Sequence, residues 1–267
     1  MGGSMDNKWA VVTGASSGLG AKFAEKLAEK GYNLVIVARR RDRLQALQKG
    51  LRKKYHVECE PMVADLSKKA SCLVLFDLIK NLDVEVFINN AGFGDCGRFA
   101  ETDLDKELEM IDVNVRAVHI LTKLMVQKFS EKKRGYILNV ASSAGLLPAG
   151  PFMATYYATK SYVTSLTRAV AAELERRGSN VYVGCLCPGP VDTEFNSVAN
   201  VRFALKGISS EKCVKYAISR MFRRDIIIIP DFKIRTAMTF SRYIPQDIVI
   251  MTTGNQQKKK FEKKKER

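Results

Sequence analysis

The sequence lacks any long apolar run, and this absence limits the classes of protein to which it can belong. No stretch of the 267-residue chain approaches the roughly 18 apolar residues that mark a membrane-spanning helix. The chain also begins without a charged-then-apolar signal segment, and Met1 to Ser4 ahead of Met5 are typical of a cloning remnant. We therefore expect no integral membrane contact.

The chain also lacks the dense cysteine pattern of a disulfide-stapled scaffold. Its six cysteines are scattered through predicted strands and helices, which favours the reducing cytoplasm as the compartment. Cys185 and Cys187 lie two apart on a predicted strand and should point to the same face. Because no further Cys or His stands at ligand spacing, we predict no metal site.

Positive charge is abundant, but aromatic residues do not interleave with it. The net charge is +16, and the last ten residues hold seven basic and two acidic side chains. A basic protein can bind nucleic acid or an anionic membrane. Without stacking aromatics, we favour an enzyme that binds an anionic cofactor, carries a disordered basic tail over 256–267 and has no nucleic-acid partner.

Strand and helix patterns alternate along the chain and predict an α/β fold. Seven short apolar strands are predicted near 9–13, 33–38, 57–63, 84–88, 136–140, 180–187 and 226–229. Helical patterns separate them, including a long one over roughly 104–133 and another over 154–177. Such alternation predicts a seven-stranded parallel, doubly wound sheet of Rossmann type in a single domain over 5–255.

A glycine-rich turn follows the first strand directly. Gly14, Gly18 and Gly20 permit a tight turn and close backbone approach, and the next helix presents free N–H groups to a pyrophosphate. The spacing is G-x-x-x-G-x-G, which differs from the commoner G-x-G-x-x-G. Its place between a first strand and a first helix predicts a nucleotide site, with these candidate contacts: Gly14, Ser16, Ser17, Gly18, Leu19 and Gly20.

The end of the second strand indicates which dinucleotide binds. An NAD site would place an acidic residue about 20 positions beyond the loop, where this chain has Ala38 followed by Arg39. A guanidinium suits a 2′-phosphate, so we predict NADP(H). Arg40 is a second candidate, although it also suits the solvated start of a helix. Asp65, followed by Leu66 at the end of the third strand, is predicted to meet the adenine amino group.

Tyr156 and Lys160 lie four residues apart and should share one helical face. A phenol has an ordinary pKa near 10, and an adjacent ammonium favours the phenolate, which suits acid/base chemistry. Ser143, at a strand end thirteen residues before Tyr156, is predicted to point its hydroxyl at the same reacting oxygen. Asn114 lies within a predicted helix, where asparagine is unfavourable, so it either faces water or has a specific role.

Together these motifs resemble the classical short-chain dehydrogenase/reductase family over residues 8 to about 230. The matching pieces, in chain order, are TGASSGLG at 13–20, NNAG at 89–92, DVNV at 112–115, the strand-end serines, YYATK at 156–160 and PGPVDT at 188–193.

The resemblance implies a role for each matching residue. Tyr156 would donate a proton to the carbonyl being reduced, and Ser143 would polarise the substrate oxygen. Lys160 would hold the nicotinamide ribose and lower the phenol pKa, while Asn114 would fix a proton-relay water. The family pattern selects Tyr156 over its neighbour Tyr157. It also implies further cofactor contacts at Asn90, Ala91, Gly92, Pro188, Gly189, Val191 and Thr193, and a homodimer or homotetramer formed through 104–133 and 154–177.

The substrate is predicted from two apolar segments, 145–153 and a lid at about 190–208. Their composition favours a bulky apolar carbonyl or alcohol. Within the family, the Ala38-Arg39-Arg40 strand end looks most like NADP-dependent hydroxysteroid dehydrogenases, including bile-acid enzymes. A 3-ketoacyl reductase is the alternative, and a catalytically dead NADP sensor or nucleic-acid-associated binder is a non-enzymatic one. The predicted substrate contacts are Ser143, Gly145, Leu146, Phe152, Tyr156 and Phe195.

Overall fold

The computed structural model describes residues 7–192, 194 and 207–265, with side chains up to Lys258. Two predicted contacts, Thr193 and Phe195, lie outside the described residues, as does most of the predicted lid.

A seven-stranded sheet forms the centre of the molecule. In chain order the strands are Trp9–Thr13 (β1), Asn33–Ala38 (β2), Cys59–Val63 (β3), Val84–Asn89 (β4), Gly135–Val140 (β5), Val181–Leu186 (β6), Val191–Asp192 (β7), Ile208–Ser209 (β8) and Ile227–Ile228 (β9). The sheet order is β3-β2-β1-β4-β5-β6-β9, and every neighbouring pair is parallel. The strands β7 and β8 form a separate parallel pair. The predicted single Rossmann-type domain is confirmed.

Helices cover both faces of the sheet. They are Gly18–Ala28 (α1), Arg41–Tyr55 (α2), Lys69–Ile79 (α3), Leu104–Ile111 (α4), Val118–Lys132 (α5), Ala154–Arg176 (α6), Ser210–Phe222 (α7), Phe232–Phe240 (α8) and Gln246–Lys265 (α9). Alternate strand residues point into two apolar layers, one on each face of the sheet. On one face, Val12 packs with Phe23 of α1 and Met221 of α7. On the other face, Val11 packs with Leu75 of α3 and Phe129 of α5. The sheet is therefore buried on both faces, as a parallel sheet must be.

The predicted long helix over 104–133 is interrupted. Between α4 and α5, residues Asp112–Ala117 form a π-helical segment. Asn114 lies in it, fully buried, and its side chain bonds to the backbone of Phe93. The wider turn lets this polar side chain leave the helix and reach a neighbouring loop, and such segments are frequent at functional sites.

The predicted disorder over 256–267 is wrong at its start, because α9 continues through it to Lys265. Gln257 is only 4% exposed and packs against α6 through Tyr157. Neither α8 nor α9 was predicted from the sequence. Among the described residues, no helix is both long and apolar enough to cross a bilayer.

Candidate active site

A cavity of about 710 Å³ lies at the carboxyl ends of the strands, where the sheet order reverses between β1 and β4. Ligands of open parallel sheets bind at this edge. The first β–α turn, the ends of β2 to β6 and the helices α6, α8 and α9 all supply lining residues.

The glycine-rich turn is clamped to the turn after β4. Thr13 Oγ1 accepts hydrogen bonds from the backbone N–H groups of Asn90 and Ala91, both at 2.9 Å. Asn90 Nδ2 donates to the Thr13 carbonyl at 2.9 Å. Gly14 has φ +65°, and a Cβ there would come within 2.9 Å of the Ala91 Cα. Only glycine fits this close approach.

Most predicted cofactor contacts line this cavity. They are Gly14, Ser16, Ser17, Gly18, Leu19, Arg39, Arg40, Asp65, Leu66, Asn90, Ala91, Gly92, Tyr156, Lys160, Pro188, Gly189 and Val191. Gly20 is buried in the first turn of α1, packs against the Gly14 carbonyl and is not among the described residues that line the cavity.

The two arginines after β2 have different partners. Arg39 Nη1 lies 2.5 Å from Glu109 Oε1 of α4, so part of its donor capacity is turned away from the glycine-rich turn. Arg40 Nη2 donates to Ser17 Oγ at 2.6 Å and to Ser16 Oγ at 3.0 Å. Arg40 was predicted both as a cofactor contact and as the solvated start of a helix; its guanidinium lies on the glycine-rich turn, where it also pairs with Glu194 at 3.2 Å.

The Ser142 hydroxyl acts on the Tyr156 phenol and lowers its pKa, against the larger effect of burial. Ser142 continues β5 in extended conformation, and its Oγ also accepts from the Ala144 N–H at 3.2 Å. Ser143, the predicted partner, lines the same cavity, and its backbone N–H donates to the Pro188 carbonyl at 2.8 Å. Ser143 begins a short 3-10 helix, and its predicted part in polarising the substrate oxygen stays a prediction.

Burial dominates the ionisation of the tyrosine–lysine pair. Burial raises the pKa of Tyr156 well above its ordinary value, opposed by the hydrogen bond from Ser142. Burial also lowers the pKa of Lys160 to about 8. The sequence analysis predicted that Lys160 would bring the phenol pKa down, and in the structure the loss of water around the phenol outweighs that effect.

Lys160 is held at the base of the cavity. Its Nζ donates to the Val140 carbonyl at 3.0 Å and lies 5.8 Å from the centroid of the Tyr156 ring. A Cβ on Gly92 would approach this Nζ to 3.3 Å. The ammonium therefore lies between the end of β5, the turn after β4 and the phenol.

Asn114 stands behind the cavity wall and does not line it. Its Oδ1 accepts from the Phe93 N–H at 3.1 Å, and its Nδ2 donates to the Phe93 carbonyl at 2.8 Å and to Thr159 Oγ1 at 3.1 Å. Thr159 Oγ1 in turn donates to the Tyr156 carbonyl at 2.8 Å. Asn114 thus ties the turn after β4 to the helix that carries Tyr156 and Lys160.

Three predicted substrate contacts are not among the described residues that line the cavity, and they stay predictions. Gly145 packs on the Lys160 backbone, Leu146 packs against the buried cluster around Val163, and Phe152 packs with Cys96 and Met110. The described apolar wall instead contains Phe93, Val113, Leu147, Met153, Tyr157, Ile234 and Met238. Thr253, Gln256 and Gln257 of α9 complete it. No sequence motif marked these α8 and α9 residues.

Cys185 and Cys187 share one face, as predicted, with their Sγ atoms 3.8 Å apart. Across the described part of the chain, no three His, Cys, Asp or Glu side chains are grouped as metal ligands.

The chain belongs to the short chain dehydrogenase family, whose profile matches residues 8–202. The expectation drawn from the sequence motifs is confirmed at this level.

Curated relatives carry two kinds of name. A very-long-chain 3-oxoacyl-CoA reductase of Pyrenophora tritici-repentis is 35% identical over 196 residues, covering 71% of this chain and 57% of the relative. The hydroxysteroid dehydrogenase-like protein 1 of Gallus gallus is 29% identical over 219 residues, covering 80% of this chain and 65% of the relative. A human relative, 31% identical over 196 residues and matched over 72% of this chain and 58% of its own length, is named an inactive hydroxysteroid dehydrogenase-like protein 1. The matched region thus spans less than two thirds of each of these relatives.

Solved structures agree on the fold. A short-chain dehydrogenase from Sphingobium yanoikuyae, in complex with NADPH, has 30% identity and TM-score 0.80, covering 88% of this chain and 94% of its own. A 7β-hydroxysteroid dehydrogenase has 27% identity and TM-score 0.83, covering 92% and 96%.

Proposed function

We propose that this chain is an NADPH-dependent reductase of the keto group of 3-oxoacyl thioesters with long acyl chains. The observation that carries the proposal is the buried pair of Tyr156 and Lys160 at the wall of a 710 Å³ cavity, where the Ser142 hydroxyl acts on the phenol. The names of the fungal relatives support the thioester over the hydroxysteroid that the sequence analysis favoured.

The residues at the glycine-rich turn fit a dinucleotide. The Gly14 backbone has no room for a side chain, and the start of α1 offers unpaired N–H groups to a pyrophosphate. When bound there, NADPH supplies the hydride that reduces the substrate carbon.

Tyr156 supplies the proton in this reaction. As the carbonyl carbon gains a hydride, negative charge develops on its oxygen, and the buried phenol transfers its proton there to give the alcohol. Ser142 donates a hydrogen bond to the same oxygen and stabilises the developing charge. The tyrosinate that remains recovers its proton from solvent before the next turnover.

Lys160 and Asn114 prepare the phenol for this transfer. The Lys160 ammonium, one helical turn away, stabilises the tyrosinate electrostatically. Asn114 acts through the backbone: by bonding to Phe93 and Thr159, it fixes α6 against the turn after β4. The proton-relay role expected for Asn114 from the family resemblance stays a prediction.

NADP(H) is favoured over NAD(H) by charge at the end of β2. Both Arg39 and Arg40 line the cavity, and no acidic residue lies between Val37 and Arg41. Arg40 is the better placed for a 2′-phosphate because it already bonds to Ser16 and Ser17. Structural neighbours solved with NADPH and NADP support this assignment.

A hydroxysteroid is the second candidate substrate. It is supported by the 7β-hydroxysteroid dehydrogenase, whose structure superposes over 92% of this chain. An acyl chain and a steroid both need an apolar wall, which Leu147, Met153, Ile234 and Met238 provide.

A non-catalytic role is the remaining alternative, since one relative is named inactive. The side chains that acid/base chemistry requires are gathered here around one phenol, with the Lys160 Nζ 5.8 Å from the centroid of the Tyr156 ring, which favours an enzyme.

Self-association is proposed through α4 and α6. Leu104, Leu108, Ile111 and Tyr162 expose large apolar surfaces on these helices, as a dimer interface would require.

A substrate panel tests the proposal. Purified chain with NADPH is offered 3-oxoacyl thioesters of increasing length, a set of ketosteroids and short aliphatic ketones, and kcat/KM is read from NADPH absorbance. We expect kcat/KM to rise with acyl length and to exceed that of every steroid. If a steroid is preferred over every thioester, the hydroxysteroid becomes the better candidate substrate. If the folded protein binds NADPH but reduces none of the ketones, a non-catalytic role is favoured.

A further inference from the structure

The helix α9 brings one buried amide to the cavity wall. Gln257 is 4% exposed and lines the cavity beside Thr253 and Gln256. Its Nε2 donates to the Tyr157 hydroxyl at 2.8 Å. The Tyr157 ring packs against the Tyr156 ring, with centroids 6.3 Å apart. The amide is therefore anchored one aromatic ring away from the proton donor.

The other half of this amide is unsatisfied. Among the described residues, Gln257 Oε1 is a buried side-chain oxygen with no hydrogen-bond partner. Buried hydrogen-bond acceptors in folded proteins are nearly always paired. A buried acceptor without a partner therefore indicates a site where a ligand or a water binds, or a functional role. Gln257 lines the cavity through other atoms, so a bound molecule that shifts its amide slightly can supply the missing donor.

We propose that Gln257 Oε1 accepts a hydrogen bond from an N–H or O–H group of the substrate, at a point separate from the carbonyl that is reduced. This inference rests on the proposed reductase function and deepens it. A coenzyme A thioester carries amide N–H groups along its pantetheine arm, and a hydroxysteroid carries an O–H. A plain ketone or simple ester carries neither, so Gln257 selects for substrates with a second polar group.

Tyr157 is the positioning residue for this contact. By accepting the Nε2 hydrogen bond, its hydroxyl fixes the amide plane and leaves Oε1 directed away from Tyr157. The Tyr157→Phe variant removes this anchor. We expect it to weaken the binding of the same substrates whose binding is weakened by loss of Gln257.

The test compares matched substrates on Gln257→Met, which keeps the length of the side chain and removes its polarity. A 3-oxoacyl thioester bearing the pantetheine amides is paired with the methyl ester of the same 3-oxo acid. We expect the variant to raise KM about 10- to 100-fold for the thioester, with kcat and the methyl-ester KM within about threefold of the unmodified chain. Gln257→Glu retains an acceptor and should restore most of the thioester affinity.

Three controls separate the possible outcomes. Gln246→Met makes the same substitution at the exposed start of α9, and the Kd for NADPH checks that each variant is folded. If the unmodified chain reduces steroids but no thioester, the matched substrates become a ketosteroid that bears a separate hydroxyl and the methyl ether of that hydroxyl. Only the assignment of the substrate as a thioester then fails. Equal losses on both members of a pair, or no loss on either, would overturn the role of Gln257.

A second, independent observation concerns the outer surface of the same C-terminal segment. Within α8, the turn after it and α9, six large apolar side chains are exposed: Phe232 (70%), Phe240 (64%), Tyr243 (84%), Ile244, Ile248 and Met251. We call these six residues the apolar surface. Few monomeric soluble proteins leave so many large apolar side chains exposed within one segment unless it has a partner.

Positive charge accompanies the apolar surface and identifies that partner. Lys233 and Arg242 are exposed within the segment, and the sequence from 258 to 267 has seven basic and two acidic side chains. Exposed aromatics combined with a basic segment fit the interface of an anionic lipid bilayer. Other residues of α8 and α9 line the cavity, so a bilayer on this surface would lie next to the substrate site.

We propose that the apolar surface and the basic segment together dock on an anionic membrane surface, without crossing the bilayer. Vesicle flotation tests this, using phosphatidylcholine vesicles with and without phosphatidylserine. We expect the full chain to float with the mixed vesicles at low salt, and the triple variant Phe232→Ser, Phe240→Ser, Tyr243→Ser to lose at least about tenfold in binding.

A matched triple variant, Leu73→Ser, Val74→Ser, Leu78→Ser, removes exposed apolar residues from α3 instead and should float like the unmodified chain. Removing 259–267 should weaken binding to the vesicles that contain phosphatidylserine and leave binding to the phosphatidylcholine vesicles unchanged. A full chain that stays unbound to both vesicle types would overturn the proposal. If it is then a dimer that the first triple variant dissociates, the apolar surface is an interface between two copies of this chain.

Discussion

The hydroxyl of Ser142, two residues beyond the end of β5, acts on the phenol of Tyr156 in the first turn of α6 and lowers its pKa against the effect of burial. Because Ser143 lines the same cavity, the two serines provide a direct test of this geometry. We expect Ser142→Ala to lower kcat by about 10²- to 10³-fold, the usual effect of losing one donor to a developing oxyanion. Ser143→Ala should lower it by less than about tenfold. Steady-state kinetics with saturating NADPH measures both, and the reverse ranking would return the role to Ser143.

Arg40, rather than Arg39, is expected to set the preference for NADP. Arg40 bonds to Ser16 and Ser17 on the glycine-rich turn and also pairs with Glu194 at 3.2 Å, whereas Arg39 is paired with Glu109 of α4. One charge-assisted hydrogen bond contributes about 1.5–3 kcal/mol, so Arg40→Leu should lower the NADP/NAD ratio of kcat/KM by roughly 10- to 100-fold. Arg39→Leu is the matched variant, and a larger change in its ratio would show that Arg39 contacts the phosphate.

Two truncations test how much of the C-terminal helix α9 is needed for stability and substrate binding. Removing 259–267 should change neither Tm nor KM, since a segment so charged buries little apolar surface. Removing 256–267 also deletes Gln257 and its bond to Tyr157, and we expect Tm to fall by several degrees, together with a higher KM. Thermal unfolding and steady-state kinetics on both proteins check this. Identical behaviour of the two truncations would mean that the end of α9 does not support the cavity.

The buried Lys160 should leave a signature in the pH dependence of stability. Its pKa is lowered to about 8 from an ordinary 10.5, so between these values the unfolded chain binds a proton that the folded chain does not. Stability from this group is therefore gained as pH rises through that window and lost as pH falls towards 8. The raised pKa of Tyr156 opposes this gain only above about pH 10.

Lys160→Met removes that contribution. Between pH 8 and 9.5, the free energy of unfolding of the unmodified chain should rise relative to the variant by about 1–2 kcal/mol. Urea unfolding at the two pH values measures the difference. Parallel pH profiles would show that Lys160 keeps its ordinary pKa in the folded chain.

The sheet and the cofactor end of the site were predictable from the sequence because their signals are local. Apolar strands such as Trp9–Thr13 and a glycine turn beside them depend on backbone sterics that neighbouring residues determine. The sequence alone does not show that the Ser142 hydroxyl acts on Tyr156, since that depends on how the segment after β5 meets α6. Gln257 lies one hundred residues from Tyr157, in a helix with no motif, so only the tertiary structure brings them together.

The central claim is that this chain transfers a hydride from NADPH to the keto carbon of a bulky substrate, with Tyr156 as the proton donor. Incubation with NADPH deuterated at the transferable position and a long-chain 3-oxoacyl thioester, followed by mass spectrometry of the product, tests it most directly. We predict one deuterium on the carbon that bears the new hydroxyl, and almost none with Tyr156→Phe, which should still bind NADPH. A product without deuterium, or equal labelling by the Tyr156→Phe variant, would contradict the account.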